Sequence, residues 1–135
     1  MNGAAAVADT HAAIWYLFAD PRLSASARNA FDRAGSDGRK VLVSSITLAE
    51  MVYLVEKCRI SQEVYDRLCG ALADPEHILA EAPLTSAIVE SMRQIPREQV
   101  PDLPDRIVAA TALYFNVPAI SRDSRILASD LTTIW

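Results

Sequence analysis

The chain alternates short apolar runs with longer segments whose apolar residues recur at helical spacing. Ala4 to Ala8 is a run of small apolar residues that stops at Asp9-Thr10, and His11 to Phe18 has the apolar content of a buried helix, so a strand, a turn at Asp9 and a helix are predicted. Asp20-Pro21 ends that helix. Ser24 or Ser26 can cap a second helix through Ala34, and Gly35-Ser36-Asp37-Gly38 reads as a loop by its turn chemistry. Lys40 to Val43 predicts a second strand, which Ser44-Ser45 closes while opening a helix to about Lys57. In that helix Glu50 is the only charge among Ile46, Leu48, Ala49, Met51, Val52, Tyr53, Leu54 and Val55, out of place for a solvated face. Ser61 to Ala73 reads as another capped helix, Asp74-Pro75 as a break and His77 to Ala80 as a short strand. Thr85 or Ser86 then starts a helix to about Gln94.

The stretch from Pro101 to Asp123 organises the rest. A helix opens near Asp102 or Leu103, because Pro104 sits where a missing N–H is harmless and acids suit the positive end of the helix dipole. Ile107, Val108, Ala109, Ala110, Ala112, Leu113 and Tyr114 make it apolar around most of its circumference, so it packs on several sides; Asn116 ends it, with Pro118 just beyond. Pro118 to Ser121 reads as a strand, Ser124 to Ala128 as a short helix and Leu131 to Trp135 as a last edge strand or tail. Helices alternating with short strands predict an α/β fold, an α/β/α sandwich around a short, central, parallel β-sheet. There is no internal repeat.

Composition narrows the class without naming a partner. At 135 residues, one domain spanning 1–135 is expected, large enough to bury about two thirds of its unfolded surface. An apolar share of 51% with 22% charged residues is that of a globular protein, and the longest apolar run, Ala12 to Ala19, is too short for a bilayer. The start, Met1 to Val7, lacks a basic region and Asp9 interrupts a signal core, so it reads as structure and a cytoplasmic location is the simplest expectation. Cys58 and Cys69 lack metal or disulfide spacing and read as reduced, partly buried thiols. The net charge, 13 − 17 = −4, argues against broad electrostatic binding to nucleic acid and leaves room for a local basic rim.

Candidate chemistry lies in acids at element ends. Asp9, Asp105 and Asp123 fall where a strand ends or a helix begins, and Glu50 lies about one turn into a helix that follows a strand. In a parallel sheet these positions share one edge, where open α/β sheets place ligands. Ionised carboxylates gathered there raise each other's pKa and need a cation; oxygen-only ligands point to Mg²⁺ or Mn²⁺ rather than zinc. Each acid also has a bland reading. Asp9 and Asp123 fit plain N-caps, Asp105 a dipole complement, and Thr47-Leu48-Ala49-Glu50 a capping box. Asp102 is favoured as a cap over a residue that orients Arg106 or a metal-bound water. Thr10 and Ser121 offer hydroxyls to a phosphate oxygen or a water, or cap helices, and Arg106, Arg122 and Arg125 offer phosphate contacts or plain solvated charge. His11 reads as a partly buried helix residue and Trp15 as core or interface.

These residues resemble the PIN-domain superfamily and, within it, the VapC-type ribonuclease toxins of bacterial toxin–antitoxin pairs. The resemblance is carried over nearly the whole chain by Asp9-Thr10-His11 with Trp15 and Asp20-Pro21-Arg22-Leu23-Ser24, by Ser44-Ser45-Ile46 with Leu48 and Glu50, by Asp102-Leu103-Pro104-Asp105-Arg106 with Ala109-Ala110-Thr111-Ala112, and by Ser121-Arg122-Asp123, with Ile134-Trp135 closing. Leu103 stands where many relatives have Pro, Pro104 where an aromatic is common, and Ser121 where Thr is frequent.

The resemblance implies an endoribonuclease that uses Mg²⁺ or Mn²⁺ to hydrolyse RNA phosphodiester bonds and so inhibits translation. It implies Asp9, Glu50, Asp105 and Asp123 as metal-binding, catalytic acids; Thr10, Asp102, Arg106 and Ser121 stand in support by their positions beside them. It further implies a homodimer and a cognate VapB-type antitoxin that covers the site. Two rivals stand beside it: a PIN-fold module that binds RNA or protein without catalysis, and an aspartyl-phosphate phosphotransferase using Asp9, which would want a second acid where His11 stands.

Overall fold

Ala4–Ala8 (β1) runs through the middle of a five-stranded sheet in which β1 pairs with Lys40–Ser44 (β2) on one side and Ala119–Ile120 (β4) on the other. Leu79–Ala82 (β3) forms one edge, beside β2, and Thr133–Ile134 (β5) the other, beside β4; every pairing is parallel, in the order β3-β2-β1-β4-β5. The computed structural model describes residues 3–127, 129 and 131–135, so Met1 and Asn2, part of the start read as structure, and the expected helix end at Ala128 lie outside the described residues. The chain winds from β1 outward to β2 and β3, then returns to the far side of β1 for β4 and β5. Strand order therefore reverses between β1 and β4, and the carboxyl ends of those strands face the crevice where such sheets bind ligands.

Period-two alternation divides the interior between the two faces of the sheet. Ala6, Ala8, Val41, Val43, Leu79 and Ile120 join one core with Trp15 from Thr10–Leu17 (α1), Phe31 from Ala25–Ser36 (α2) and Leu68 from Gln62–Ala73 (α4). Val7, Leu42, Ala82 and Ala119 join the other, with Ile88 from Ser86–Ser91 (α5) and Val108, Ala109, Ala110 and Ala112 from Leu103–Phe115 (α6). The helix Ser45–Glu56 (α3) places Met51 in the first core and Ile46 against the second, which sets Glu50 beyond the strand ends. The expected packing of α6 on several sides holds for six consecutive buried residues, Ile107 to Ala112, whereas Leu113 and Tyr114 in its last turn are exposed. Within it the Thr111 hydroxyl donates to the Ile107 carbonyl at 2.7 Å, so its burial strands no polar group. Asn116 closes the helix in the left-handed region, φ 55°, which Asn tolerates better than most side chains.

Local chemistry moved several expected boundaries. Helix α2 runs on through Gly35 and Ser36, and the loop begins at Asp37; of the two possible caps it is Ser24 that accepts from Ala27 N, at 3.1 Å. The third strand starts two residues later than expected, because His77 belongs to the turn: its Nδ1 accepts from Leu79 N at 3.0 Å. The capping box at Thr47 does not form. Ser44 caps α3 by accepting from Ile46 N, leaving Thr47 and Glu50 inside the helix and free for other partners. Ser61 occupies the cap position of α4 without a side-chain cap bond, and α5 passes into a single 3₁₀ turn, Met92–Gln94. The final strand is short, and a helix of four residues, Ser124–Leu127 (α7), precedes it. Among the described residues no helix is long and apolar enough to cross a membrane.

Candidate active site

At the reversal between β1 and β4 the carboxyl ends of the strands and the start of α6 enclose a cavity of about 330 Å³ lined by Asp9, Thr10, His11, Glu50, Asp102, Pro104, Asp105, Val108, Arg122 and Asp123. Five carboxylates from four parts of the chain thus face one space. Each arrives for a local reason. Asp9 ends β1 and caps α1, its Oδ1 accepting from Ala12 N at 2.9 Å. Asp123 follows β4 and holds the first turn of α7, with Oδ1 accepting from Arg125 N at 2.9 Å and Ile126 N at 3.1 Å. Asp102 caps α6 by accepting from Asp105 N at 3.0 Å. The bland capping reading is therefore correct for these three, and it coexists with a shared cavity: one carboxylate oxygen serves the helix in each cap.

Hydroxyls fix two of the acids. The Ser121 hydroxyl donates to Asp9 Oδ2 at 2.5 Å while accepting from Asp123 N at 3.0 Å. The Thr10 hydroxyl donates to Glu50 Oε1 at 2.7 Å and lies 3.2 Å from the Thr47 hydroxyl. With one hydrogen to give, Thr10 spends it on the carboxylate, and buried Thr47 donates to the Thr10 oxygen, a relay from Thr47 to Thr10 to Glu50. Thr10 is consequently not a cap; it occupies the first turn of α1 with its side chain committed to Glu50.

Charge is crowded here. Asp9, only 8% exposed, has its pKa raised by burial, against the lowering influence of the Ser121 and Ala12 bonds and of His11. Asp105 is pushed up to about 7, first by burial and then by Asp102, Asp123, Glu50 and Asp9 in turn. A group so placed is stabilised by a positive charge among the carboxylates. The donors are hard oxygens, which suits Mg²⁺ or Mn²⁺. Among the described residues no three His, Cys, Asp or Glu side chains converge closely enough to grip an ion together. Mg²⁺ fits such spacing, since it keeps several waters and takes one or two carboxylates directly.

Arg106 does not join the site. Its Nε donates to the Ile95 carbonyl at 3.0 Å and an Nη to Met92 at 2.9 Å, tying α6 to the segment before it. Arg125 is outside the cavity lining, whereas Arg122 and His11 are on it; His11 is exposed there rather than partly buried. Thr47 had no signal in the sequence beyond its place in a capping pattern.

The family model of the PIN domain matches residues 6–130. A comparison with curated proteins gave no match. Among solved structures, the fold is similar to a chain of VapBC2 from Rickettsia felis, bound to a DNA fragment from their promoter, with TM-score 0.69 and 16% identity over 98% of this chain and 97% of that one. It is similar also to a toxin–antitoxin complex from Klebsiella pneumoniae, with TM-score 0.66 and 22% identity over 97% of both chains. A third likeness is to FitAcB from Neisseria gonorrhoeae, with TM-score 0.53 and 20% identity over 94% of both. With a parallel sheet flanked by helices, acids at the strand ends and a family match across nearly its whole length, the chain belongs to the PIN domain family.

Proposed function

We propose that this protein is a VapC-like toxin: a Mg²⁺- or Mn²⁺-dependent endoribonuclease, cytoplasmic and homodimeric, that inhibits translation by cutting RNA and is neutralised by a cognate VapB-type antitoxin. The observation that carries the reading is the convergence of Asp9, Glu50, Asp102, Asp105 and Asp123 on one cavity at the strand reversal. Family membership and the toxin–antitoxin character of structural neighbours support the biological setting.

Asp9, Glu50, Asp105 and Asp123 are the proposed ligands, one or two of them binding directly and the others through metal-bound water. These residues would hold a divalent cation, which when bound would supply a nucleophilic water and stabilise charge on the phosphate and the leaving 3′-oxygen. The chain's own part is placement. Ser121 holds Asp9 and the backbone of Asp123 in one frame, Thr10 holds Glu50, and Asp102 keeps the first turn of α6 rigid so that Asp105 projects into the same space. The net step is hydrolysis: a water oxygen bonds to phosphorus, the P–O3′ bond breaks, and the water's proton ends on the 3′-oxygen.

The wider spacing of the acids favours a second reading, a PIN-fold module that binds without cutting. Incubation of single-stranded RNA with wild type and Asp9→Asn, in Mg²⁺ or in EDTA, decides between them. Cleavage confined to wild type with Mg²⁺ is expected. Cleavage that persists in EDTA and in Asp9→Asn would remove the metal mechanism, and RNA bound intact under all conditions would favour the module.

A further inference from the structure

Trp15, 3% exposed, carries two guanidinium groups over its ring: Arg22 Cζ lies 4.9 Å from the ring centroid and Arg122 Cζ 4.5 Å. Both distances are in the range of cation–π attraction. Two further rings brace the indole, His11 at 5.5 Å and Trp135 at 5.9 Å between centroids. Trp15 is thus a fixed platform whose exposed surroundings are cationic.

The two arginines differ in what remains of their charge. Arg22 is bound at two points to Asp20, Nε to Oδ1 at 3.0 Å and an Nη to Oδ2 at 2.7 Å. Arg122 lines the carboxylate cavity, is exposed, and makes no ion pair among the described residues. Among the described residues that line the cavity, Arg122 is the one permanent cation. Arg106, which the sequence offered for the same task, is spent on backbone carbonyls.

A polyanion approaching five carboxylates meets repulsion that a cation inside the cavity, already matched by those carboxylates, only partly offsets. A guanidinium lying over an indole keeps N–H donors at its rim for phosphate oxygens, and the stack limits its rotamers before substrate arrives. We infer that Arg122 binds a backbone phosphate of the RNA at the mouth of the cavity, with Trp15 as the residue that positions it. This deepens, and rests on, the ribonuclease reading.

Binding of a labelled single-stranded RNA, followed by fluorescence anisotropy in Ca²⁺ across a range of NaCl, tests it separately from cleavage. Arg122→Ala is expected to weaken binding at least about tenfold, as loss of a charge-assisted hydrogen bond does. It should also reduce the slope of log affinity against log salt by about 0.7, the value for one phosphate on a single strand. Arg122→Lys should keep the slope and recover part of the affinity, Trp15→Phe should fall between wild type and Arg122→Ala, and Mn²⁺ affinity should be unchanged in all three. Exposed Arg93→Ala, from the Glu90 pair, serves as the control for lost charge. Wild-type affinity and slope in Arg122→Ala, an equal loss in Arg93→Ala, or no RNA binding by wild type would each overturn the assignment. RNA that is bound through Arg122 but left uncut in Mn²⁺ would instead overturn the ribonuclease reading and leave the phosphate contact standing.

Discussion

Ser121 and Asp9, 112 positions apart in the chain, are joined by a hydrogen bond from the Ser121 hydroxyl to Asp9 Oδ2 at 2.5 Å. The same hydroxyl accepts from Asp123 N, so one fully buried oxygen registers the ends of β1 and β4 and spaces two of the proposed ligands. Ser121→Ala leaves a buried carboxylate oxygen without its donor, and the expected loss of stability is about 1–3 kcal/mol. The pKa of Asp9 should rise further, because the bond that most opposes the effect of burial is gone. Urea unfolding gives the first quantity, and the pH at which Mn²⁺ binding is half-lost reports the second.

Thr10→Val keeps the shape of the first turn of α1 but removes the donor to Glu50 and the acceptor for buried Thr47. A stability loss of about 1–3 kcal/mol is expected, with a fall in metal-dependent cleavage. Thr10→Ser should restore most of both, since it retains the hydroxyl. Equal stability of the Val and Ser variants would show that the relay carries nothing.

Asp102 and Asp105 divide the work at the start of α6. Asn is as good a helix cap as Asp, so Asp102→Asn should fold with wild-type stability to within about half a kcal/mol and keep cleavage within a few-fold. Asp105→Asn should abolish metal-dependent cleavage while stabilising the metal-free protein, because it deletes a carboxylate that burial, and then its acidic neighbours, hold at about 7. Parallel thermal melts and cleavage assays would expose the reverse assignment as loss of cleavage in Asp102→Asn alone.

Acid dependence has a definite sign. The folded-state pKa of Asp105, about 7, lies above its ordinary value of 3.8, so the folded protein binds the extra proton between those limits. Its contribution to stability is fully present below the ordinary value and is lost as pH rises through about 7; raised Asp9 acts in the same direction. Metal-free protein should therefore resist urea better, as far as these groups contribute, near pH ~5 than near pH ~8. Added Mn²⁺ should reverse that trend, its affinity rising with pH as protons leave Asp105. An affinity for Mn²⁺ flat across this range would separate Asp105 from the metal.

The sheet and most helices were legible because apolar periodicity and capping residues agree along the chain: Asp9 between β1 and α1, Asp102 before α6 and Asn116 after it each end an element by chemistry that acts locally. What was not legible depended on distant partners. Thr47 looked like the first residue of a capping box, yet Ser44 took the cap and Thr47 became the donor behind Thr10. His77 looked like the start of a strand, but its imidazole closed a turn. Arg106, Arg122 and Arg125 were indistinguishable as exposed cations until α6 turned the first inward and Trp15 set the second beside the cavity. The gathering of acids was inferred from sheet topology and from the family resemblance. What the topology did not supply was the raised pKa of Asp9 and Asp105, which depends first on burial.

Calorimetric titration of Mn²⁺ into wild type, Asp9→Asn and Asp105→Asn tests most directly whether the carboxylate cavity is a divalent-cation centre. Saturable binding to wild type that is lost in each variant, with all three folded by circular dichroism, is the expected result. The absence of saturable binding to wild type, or binding that survives both substitutions, would contradict it.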